Sequence, residues 1–184
     1  MTARLIVGIG GTLREGSSTE RAVARVLYHA EALGARTTLF AGRALIMPFY
    51  GEFGCAAAPT AAAFIETMRD ADALVIGSPG YHGGVSGLVK NALDYTEEMA
   101  RDTRVYLDGR PVVCIATGAG WQGANTTLAA LRAIIFALRG WPTPLGIALN
   151  TRERAFTDDG SPLKASDEAC FEQAARQLLD FNCR

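Results

Sequence analysis

The stretch Gly10 to Thr19, G-G-T-L-R-E-G-S-S-T, gathers glycine, hydroxyl and guanidinium groups into one short loop. It follows the apolar run Arg4 to Gly10 (RLIVGIG) and precedes a segment of helical period, so it joins a strand to a helix amino terminus. The first N–H groups of a helix lack intrahelical acceptors and carry the positive end of the macrodipole, which together favour an anion. Thr12, Ser17 and Thr19 add hydroxyl donors, and Arg14 adds a guanidinium suited to a phosphate dianion. Gly11 and Leu13 complete the loop backbone. A plainer reading is that Ser17, Ser18 or Thr19 only caps the helix. Capping asks for neither Arg14 nor the glycines at 10, 11 and 16, whereas a bound phosphate accounts for both.

Two common phosphate patterns do not fit. Gly8-x-Gly10 opens a dinucleotide fingerprint, but that pattern requires glycine or alanine where Leu13 stands. Gly11-x-x-x-x-Gly16 opens a triphosphate loop, but lysine would have to replace Ser17. Hydroxyls, amides and one arginine fit a monophosphate better. Two further glycine-rich loops, Ser78 to Gly84 and Thr117 to Gly123, occupy equivalent places after later strands.

Short apolar runs alternating with helical segments predict a parallel sheet covered on both faces, an α/β fold. The expected strands are Arg4 to Gly10, Arg36 to Phe40, Ala73 to Gly77, Pro111 to Thr117 and Leu145 to Leu149. Helices are expected over Ser18 to Leu33, near Thr60 to Arg69, over Ser86 to Met99, along the stripe Leu128, Leu131, Ile134, Ile135 and Leu138 up to Gly140, and over Ser166 to Phe181. A long, partly exposed connection spans Gly42 to Pro59, and Asn150 to Pro162 reads as a polar connection. Right-handed crossovers put every strand-to-helix loop at the carboxyl edge, where ligands of such sheets bind.

The chain's 184 residues fit one domain over the whole length, and a net charge of -1 gives no field to attract nucleic acid or an acidic membrane. No apolar run approaches the roughly 20 residues of a membrane span. MTARLIVGIGG reads as a first strand, because its short apolar run passes into a glycine loop rather than a cleavage site. Cys55, Cys114, Cys170 and Cys183 form no C-x-x-C pair, which points to a reduced, cytoplasmic setting. With His29 and His82 the only histidines, no metal site is expected.

The loop Gly11 to Thr19 resembles the phosphate loop of the NAD(P)H-dependent FMN reductase family, approximately G-S-x-R-x-x-S-x-N, with Thr12 for the serine and Thr19 for the asparagine. Ser78 to Asp94, SPGYHGGVSGLVKNALD, is similar to the family's P-x-Y-x-x-x-x-x-G-x-x-K-N-x-x-D segment, matching at Pro79, Tyr81, Gly87, Lys90, Asn91 and Asp94. Thr117 to Gly123 resembles the family's loop after the fourth strand. The resemblance implies a flavodoxin-like three-layer sandwich, strand order 2-1-3-4-5, that binds FMN and takes hydride from NADPH or NADH.

It further implies that Pro79, Gly80, Tyr81, His82 and Gly83 run along the flavin ring, and that Thr117, Gly118, Ala119 and Gly120 support its pyrimidine side. Where Gly80 and His82 stand, the family commonly has an acidic residue and asparagine. No catalytic side chain is expected, because the cofactor carries hydride transfer and the protein supplies position. Family resemblance also implies a homodimer or homotetramer, with Tyr95 to Asp108 as a contact surface, and reduced flavin delivered to a partner monooxygenase.

Other acceptors in the family, quinones, azo dyes and chromate, share the same site. An electron-carrier flavodoxin would be strongly acidic with a T-x-T-G-x-T loop, which this chain lacks; a cofactor-free regulatory domain is the remaining alternative. Trp121 can stack on a nicotinamide or serve an interface, and both readings stay open. For a 2'-phosphate of NADPH, Arg14, Arg43, Arg101 and Arg104 are candidates that spacing does not separate.

Overall fold

The computed structural model describes residues 3–51 and 58–182. Its strands are β1 (Leu5–Gly10), β2 (Arg36–Ala41), β3 (Ala73–Tyr81), β4 (Gly84–Val85), β5 (Pro111–Gly118), β6 (Trp141–Pro142) and β7 (Ile147–Asn150). The α-helices are α1 (Ser18–Ala32), α2 (Pro59–Asp70), α3 (Gly87–Asp94), α4 (Trp121–Ala137) and α5 (Ala165–Leu179). Cys55 and Cys183, and part of the connection expected from Gly42 to Pro59, lie outside the described residues.

The parallel strands run in the order β2-β1-β3-β5, and β6 and β7 together occupy the position beyond β5. The sheet thus has seven strands where the sequence predicts five, within the same spatial order. Two departures account for the difference. First, β3 continues past Gly77 to Tyr81 and folds back on β4 as an antiparallel hairpin. Its two-residue turn is His82–Gly83 with φ of 51° and 84°, the paired positive dihedrals of a type I′ turn. Second, the outer strand is interrupted: Pro111↔Trp141 and Val112↔Pro142 pair at one end of β5, Ile115↔Ile147 to Gly118↔Asn150 at the other. Pro142 and Pro144 lack the N–H that a continuous ladder needs. Side chains satisfy the gap instead: Arg132 donates to the Thr143 carbonyl at 2.8 Å, and the Leu145 N–H donates to Gln177 Oε1 at 3.1 Å.

Strand alternation sorts the core into two layers. Ile6, Val75, Val113, Ile115, Ile147 and Leu149 pack under α1 and α5, while Val7, Ile9, Leu74, Ile76, Val112 and Cys114 pack under α2, α3 and α4. Glycines set how deeply α1 seats. A Cβ on Gly8 would lie 2.6 Å from Leu27 Cδ1, and one on Gly77 would lie 2.6 Å from Val23 Cγ2. Among the described residues, no helix is long and apolar enough to cross a membrane.

Arg25 on α1 pairs with Glu168 on α5, and the hydrogen bond from that guanidinium holds the Glu168 carboxyl below its ordinary range. Because the folded value is depressed, this stabilisation is present above the unfolded glutamate value, about 4.3, and is lost as pH falls through the folded one. Glu168→Gln is therefore expected to cost less than about 1 kcal/mol at neutral pH, since the pair is partly exposed. It should also flatten the acid limb of the melting temperature against pH; an unchanged limb would show that the pair contributes nothing.

Candidate functional site

Ser17 sets the geometry of the first loop. Its Oγ accepts the Glu20 N–H at 3.2 Å as the N-cap of α1, and Glu20 Oε2 accepts the Gly16 N–H at 3.1 Å in return. Thr12 Oγ1 lies 2.7 Å from Ser17 Oγ and 3.0 Å from the Arg14 carbonyl. The single Thr12 hydroxyl hydrogen goes either to the Arg14 carbonyl or to Ser17 Oγ; in the second arrangement the Ser17 oxygen accepts from Thr12 and Glu20 and its own hydrogen is free for a ligand. The Arg21 N–H bonds the Ser17 carbonyl at 2.9 Å, which leaves the first-turn N–H groups of Ser18 and Thr19 without an intrahelical acceptor. Capping and anion binding are compatible here, because the cap uses the Ser17 oxygen and a ligand would use its hydrogen.

Three strand ends and a fourth loop enclose a cavity of about 450 Å³, a size typical of small-ligand sites. Of the residues singled out from sequence, the structure brings Thr12, Arg14, Ser17, Thr19, Pro79, Gly80, Tyr81, Thr117, Gly118 and Ala119 to its wall. Ser18 and Thr151 line it too, and sequence reading passed them over. Thr151 follows β7 and donates its N–H to the Gly118 carbonyl at 2.7 Å. The signal was available, because the carboxyl-edge rule applies to the loop after the fifth strand as much as to the other three.

Five expected residues do not line the cavity, each for a physical reason. Gly11 is a packing glycine, since a Cβ there would fall 2.3 Å from Val89 Cγ2 and 2.7 Å from the Gly77 carbonyl. Leu13 points outward, 58% exposed. His82 and Gly83 form the exposed tip of the β3–β4 hairpin, where glycine and a polar αL-tolerant residue meet the turn's requirement. Gly120 is the N-cap of α4 with φ 147° and ψ 153°, a conformation essentially reserved to glycine.

The expected role of two others changes. Thr19 is 1% exposed and its Oγ1 sits 2.7 Å from Thr117 Oγ1, so the pair stitches the first loop to the end of β5 and retains a single hydroxyl hydrogen. Gly80 is needed for helix packing, since a Cβ there would lie 2.5 Å from Thr127 Oγ1 on α4.

The first two loops are fixed to each other. Ser86, the N-cap of α3, donates from Oγ to the Gly11 carbonyl at 3.2 Å, and its N–H bonds Ser78 Oγ at 2.9 Å. Both serines are buried. The K-N-x-x-D part of the second motif turns out to be structural. Lys90 pairs with Asp94 on the surface of α3, and Asn91 clamps the segment before α2 by accepting from the Tyr50 N–H and donating to the Met47 and Pro48 carbonyls. Arg101 and Arg104 lie at the opposite, amino edge of the sheet, beside Arg69 and Arg110, and Arg43 is in the turn after β2, so Arg14 alone of those four arginines lines the cavity.

The wall is therefore asymmetric. One end presents Arg14, the four hydroxyl-bearing residues Thr12, Ser17, Ser18 and Thr19, and two N–H groups without an intrahelical acceptor; the other, Pro79–Tyr81 with Gly118 and Ala119, carries no charged side chain. That donor set suits a phosphate at one end and an uncharged ring at the other. Among the described residues no cluster of His, Cys, Asp or Glu could hold a metal.

A family model described as NADPH-dependent FMN reductase matches residues 5–153, a span that contains every residue of the cavity. The chain is 36% identical over 112 residues to the FMN-dependent NADPH-azoreductase of Staphylococcus saprophyticus, covering 61% of this chain and 55% of that protein. It is 33% identical over 117 residues to the protein of the same name from Staphylococcus haemolyticus, covering 64% and 57%. The matches thus span little more than half the length of these curated relatives. Among solved structures, the flavoenzyme NAD(P)H:(acceptor) oxidoreductase FerB from Paracoccus denitrificans superposes with a TM-score of 0.74 at 19% identity, covering 97% of this chain and 98% of that one. A Streptococcus pneumoniae flavodoxin superposes at 0.61 and 14% identity, covering 97% and 99%. These likenesses show a flavodoxin-like fold.

Proposed function

The chain belongs to the NADPH-dependent FMN reductase family, and from that premise we propose that it binds FMN in the cavity at the carboxyl edge of β1, β3 and β5 and oxidises NADPH or NADH there. The observation that carries the reading is the asymmetric wall, cationic and donor-rich at the amino terminus of α1 and neutral along the ends of β3 and β5. FMN, when bound, supplies a ring nitrogen that accepts hydride from a nicotinamide.

The protein's own part is positional. Arg14, the Ser17 hydroxyl and the Ser18 and Thr19 N–H groups hold the phosphate, and the backbone of Pro79–Tyr81 and Thr117–Ala119 borders the ring. The Thr19–Thr117 bond and the Ser86–Gly11 bond fix these walls relative to one another before any ligand arrives, so little ordering cost falls on binding. Tyr81, which lines the cavity and is more than half exposed, borders the side where a nicotinamide or an acceptor would enter. No side chain has to move a proton for hydride transfer itself.

Reduced flavin passes to a partner monooxygenase, the protein works in the cytoplasm, and it assembles as a dimer or tetramer in this reading. The free thiols Cys114 and Cys170 suit that compartment. A second reading, that FMN stays bound and an azo compound or quinone accepts the electrons, is favoured by the relatives that are 33% and 36% identical, both FMN-dependent NADPH-azoreductases. Steady-state oxidation of NADPH and NADH with added FMN, run beside an assay with a quinone or azo dye and no free flavin, separates the two. Saturation with free FMN and anaerobic build-up of reduced FMN are expected. Turnover only with the second acceptor would support the other reading, and no turnover in either assay would overturn both.

A further inference from the structure

A second cavity of about 280 Å³ adjoins the phosphate end of the first, and the two share Ser18 and Thr151 as a common wall. Arg21, Arg152 and Arg154 line it, against one carboxylate, Glu153. Glu153 is engaged elsewhere, accepting from Lys164 at 3.3 Å and from Asn150 Nδ2 at 3.1 Å. Arg21 is held in place by the Thr157 carbonyl at 2.5 Å and lies against the phosphate loop, with Nη2 3.5 Å from where a Gly16 Cβ would be. Arg154 shares the exposed Asp158 at 2.6 Å. The Arg152 side chain makes no ion pair or hydrogen bond among the described residues, while its N–H is fixed to Asn150 Oδ1 at 3.1 Å.

The site proposed for FMN already has the donors its own phosphate needs, so positive charge just beyond that phosphate has no role in holding a mononucleotide. A flavin whose phosphate continues into a second one would leave the first cavity at Ser18 and meet these guanidiniums directly. Arginine forks suit the oxygens of a pyrophosphate. We infer that the chain also takes flavin adenine dinucleotide, with the second phosphate between Arg21 and Arg152 and the adenosine in the groove over Thr151 to Phe156. This inference rests on the FMN reading above. The phosphates of a nicotinamide nucleotide have the same chemistry, and the experiment separates the two sources.

Isothermal titration of FMN, and separately of FAD, into flavin-free protein is the test, with Arg152→Ala and the double variant Arg152→Glu/Arg154→Glu. Both residues are exposed in a loop, so the fold tolerates the changes. Wild-type protein is expected to bind both flavins. The FAD Kd should rise about 10-fold in the single variant with FMN changing less than about 3-fold; in the double variant, whose reversed charges also reach the first phosphate, FAD should weaken about 10-fold more than FMN does.

Binding of FMN without FAD would overturn the inference and leave the FMN reading standing. Failure of wild-type protein to bind FMN would remove both. Equal weakening of both flavins would reduce the arginines to a general field and overturn the second-phosphate site. Unchanged FAD affinity with weaker NADPH binding to FMN-loaded protein would assign the groove to the nicotinamide nucleotide, which also overturns it.

Discussion

Ser17→Asp is expected to weaken FMN binding at least 100-fold while leaving the melting temperature of the flavin-free protein within about 2 °C of the parent. Aspartate is as good an N-cap as serine, so the Glu20 N–H keeps its acceptor and α1 keeps its start. What changes is charge. A carboxylate about 5 Å from a phosphate costs roughly 3 kcal/mol per unit charge at an effective dielectric of about 20, and the phosphate is a dianion. A 100-fold loss requires only about 2.7 kcal/mol. Serine read purely as a cap predicts no loss, so wild-type affinity in this variant would place the phosphate elsewhere. Ser17→Ala makes the useful contrast, since it removes cap and donor together, lowering stability by about 1 kcal/mol and affinity only modestly.

Arg110→Met is expected to lower stability by about 3 kcal/mol, a fall in melting temperature of roughly 6 to 12 °C for a chain of this size. The side chain is 1% exposed and donates to three carbonyls: Ala71 from Nε at 2.8 Å, Arg69 from Nη2 at 2.8 Å, and Tyr106 from Nη1. Two of those carbonyls belong to the carboxyl end of α2, where a cation also meets the negative end of the helix dipole. The third belongs to a residue held at φ +50°. No carboxylate bonds this guanidinium directly, and burial, helped by the charge of Arg104, pushes its pKa down to about 10. It stays charged at neutral pH because the carbonyls compensate it. Methionine keeps most of the apolar stem and loses every donor, so a fall under 2 °C, read by calorimetry, would mean that water replaces the guanidinium at no cost.

The sheet was readable because β1, β3 and β5 are unbroken apolar runs, and a run buried on both faces can only be an interior parallel strand. At the outer edge the strand expected over Leu145 to Leu149 is found as β7, but the short β6 was not legible, because Trp141 to Asn150 contains two prolines and its gap is bridged by Arg132 and Gln177, side chains on α4 and α5. Helix 3₁₀ geometry over Tyr95–Met99 likewise replaces the longer helix expected there, since α3 ends at Asp94.

In the site, residues with exposed or backbone roles were legible from loop composition. The partner of a buried hydroxyl was not. Nothing near Thr19 signals that it bonds Thr117, because that contact depends on the depth at which α1 seats on Gly8 and Gly77. Glycines were the most ambiguous signal of all. Gly11, Gly80 and Gly120 read alike in sequence, yet one makes room for α3, one for α4, and one supplies a helix cap.

The interrupted strand beyond β5 bears on how copies of this chain can meet. Strand addition from a neighbouring molecule needs an uninterrupted row of free N–H and C=O groups along a sheet border. Here that row is cut into segments of two and four residues, with prolines in and beside the first and the intervening groups bonded to the chain's own side chains. A foreign strand would find no register to extend on that side. The break therefore guards this border against edge-to-edge growth, and leaves the helical faces and the opposite border, the six-residue β2, as the surfaces through which an orderly assembly can be built.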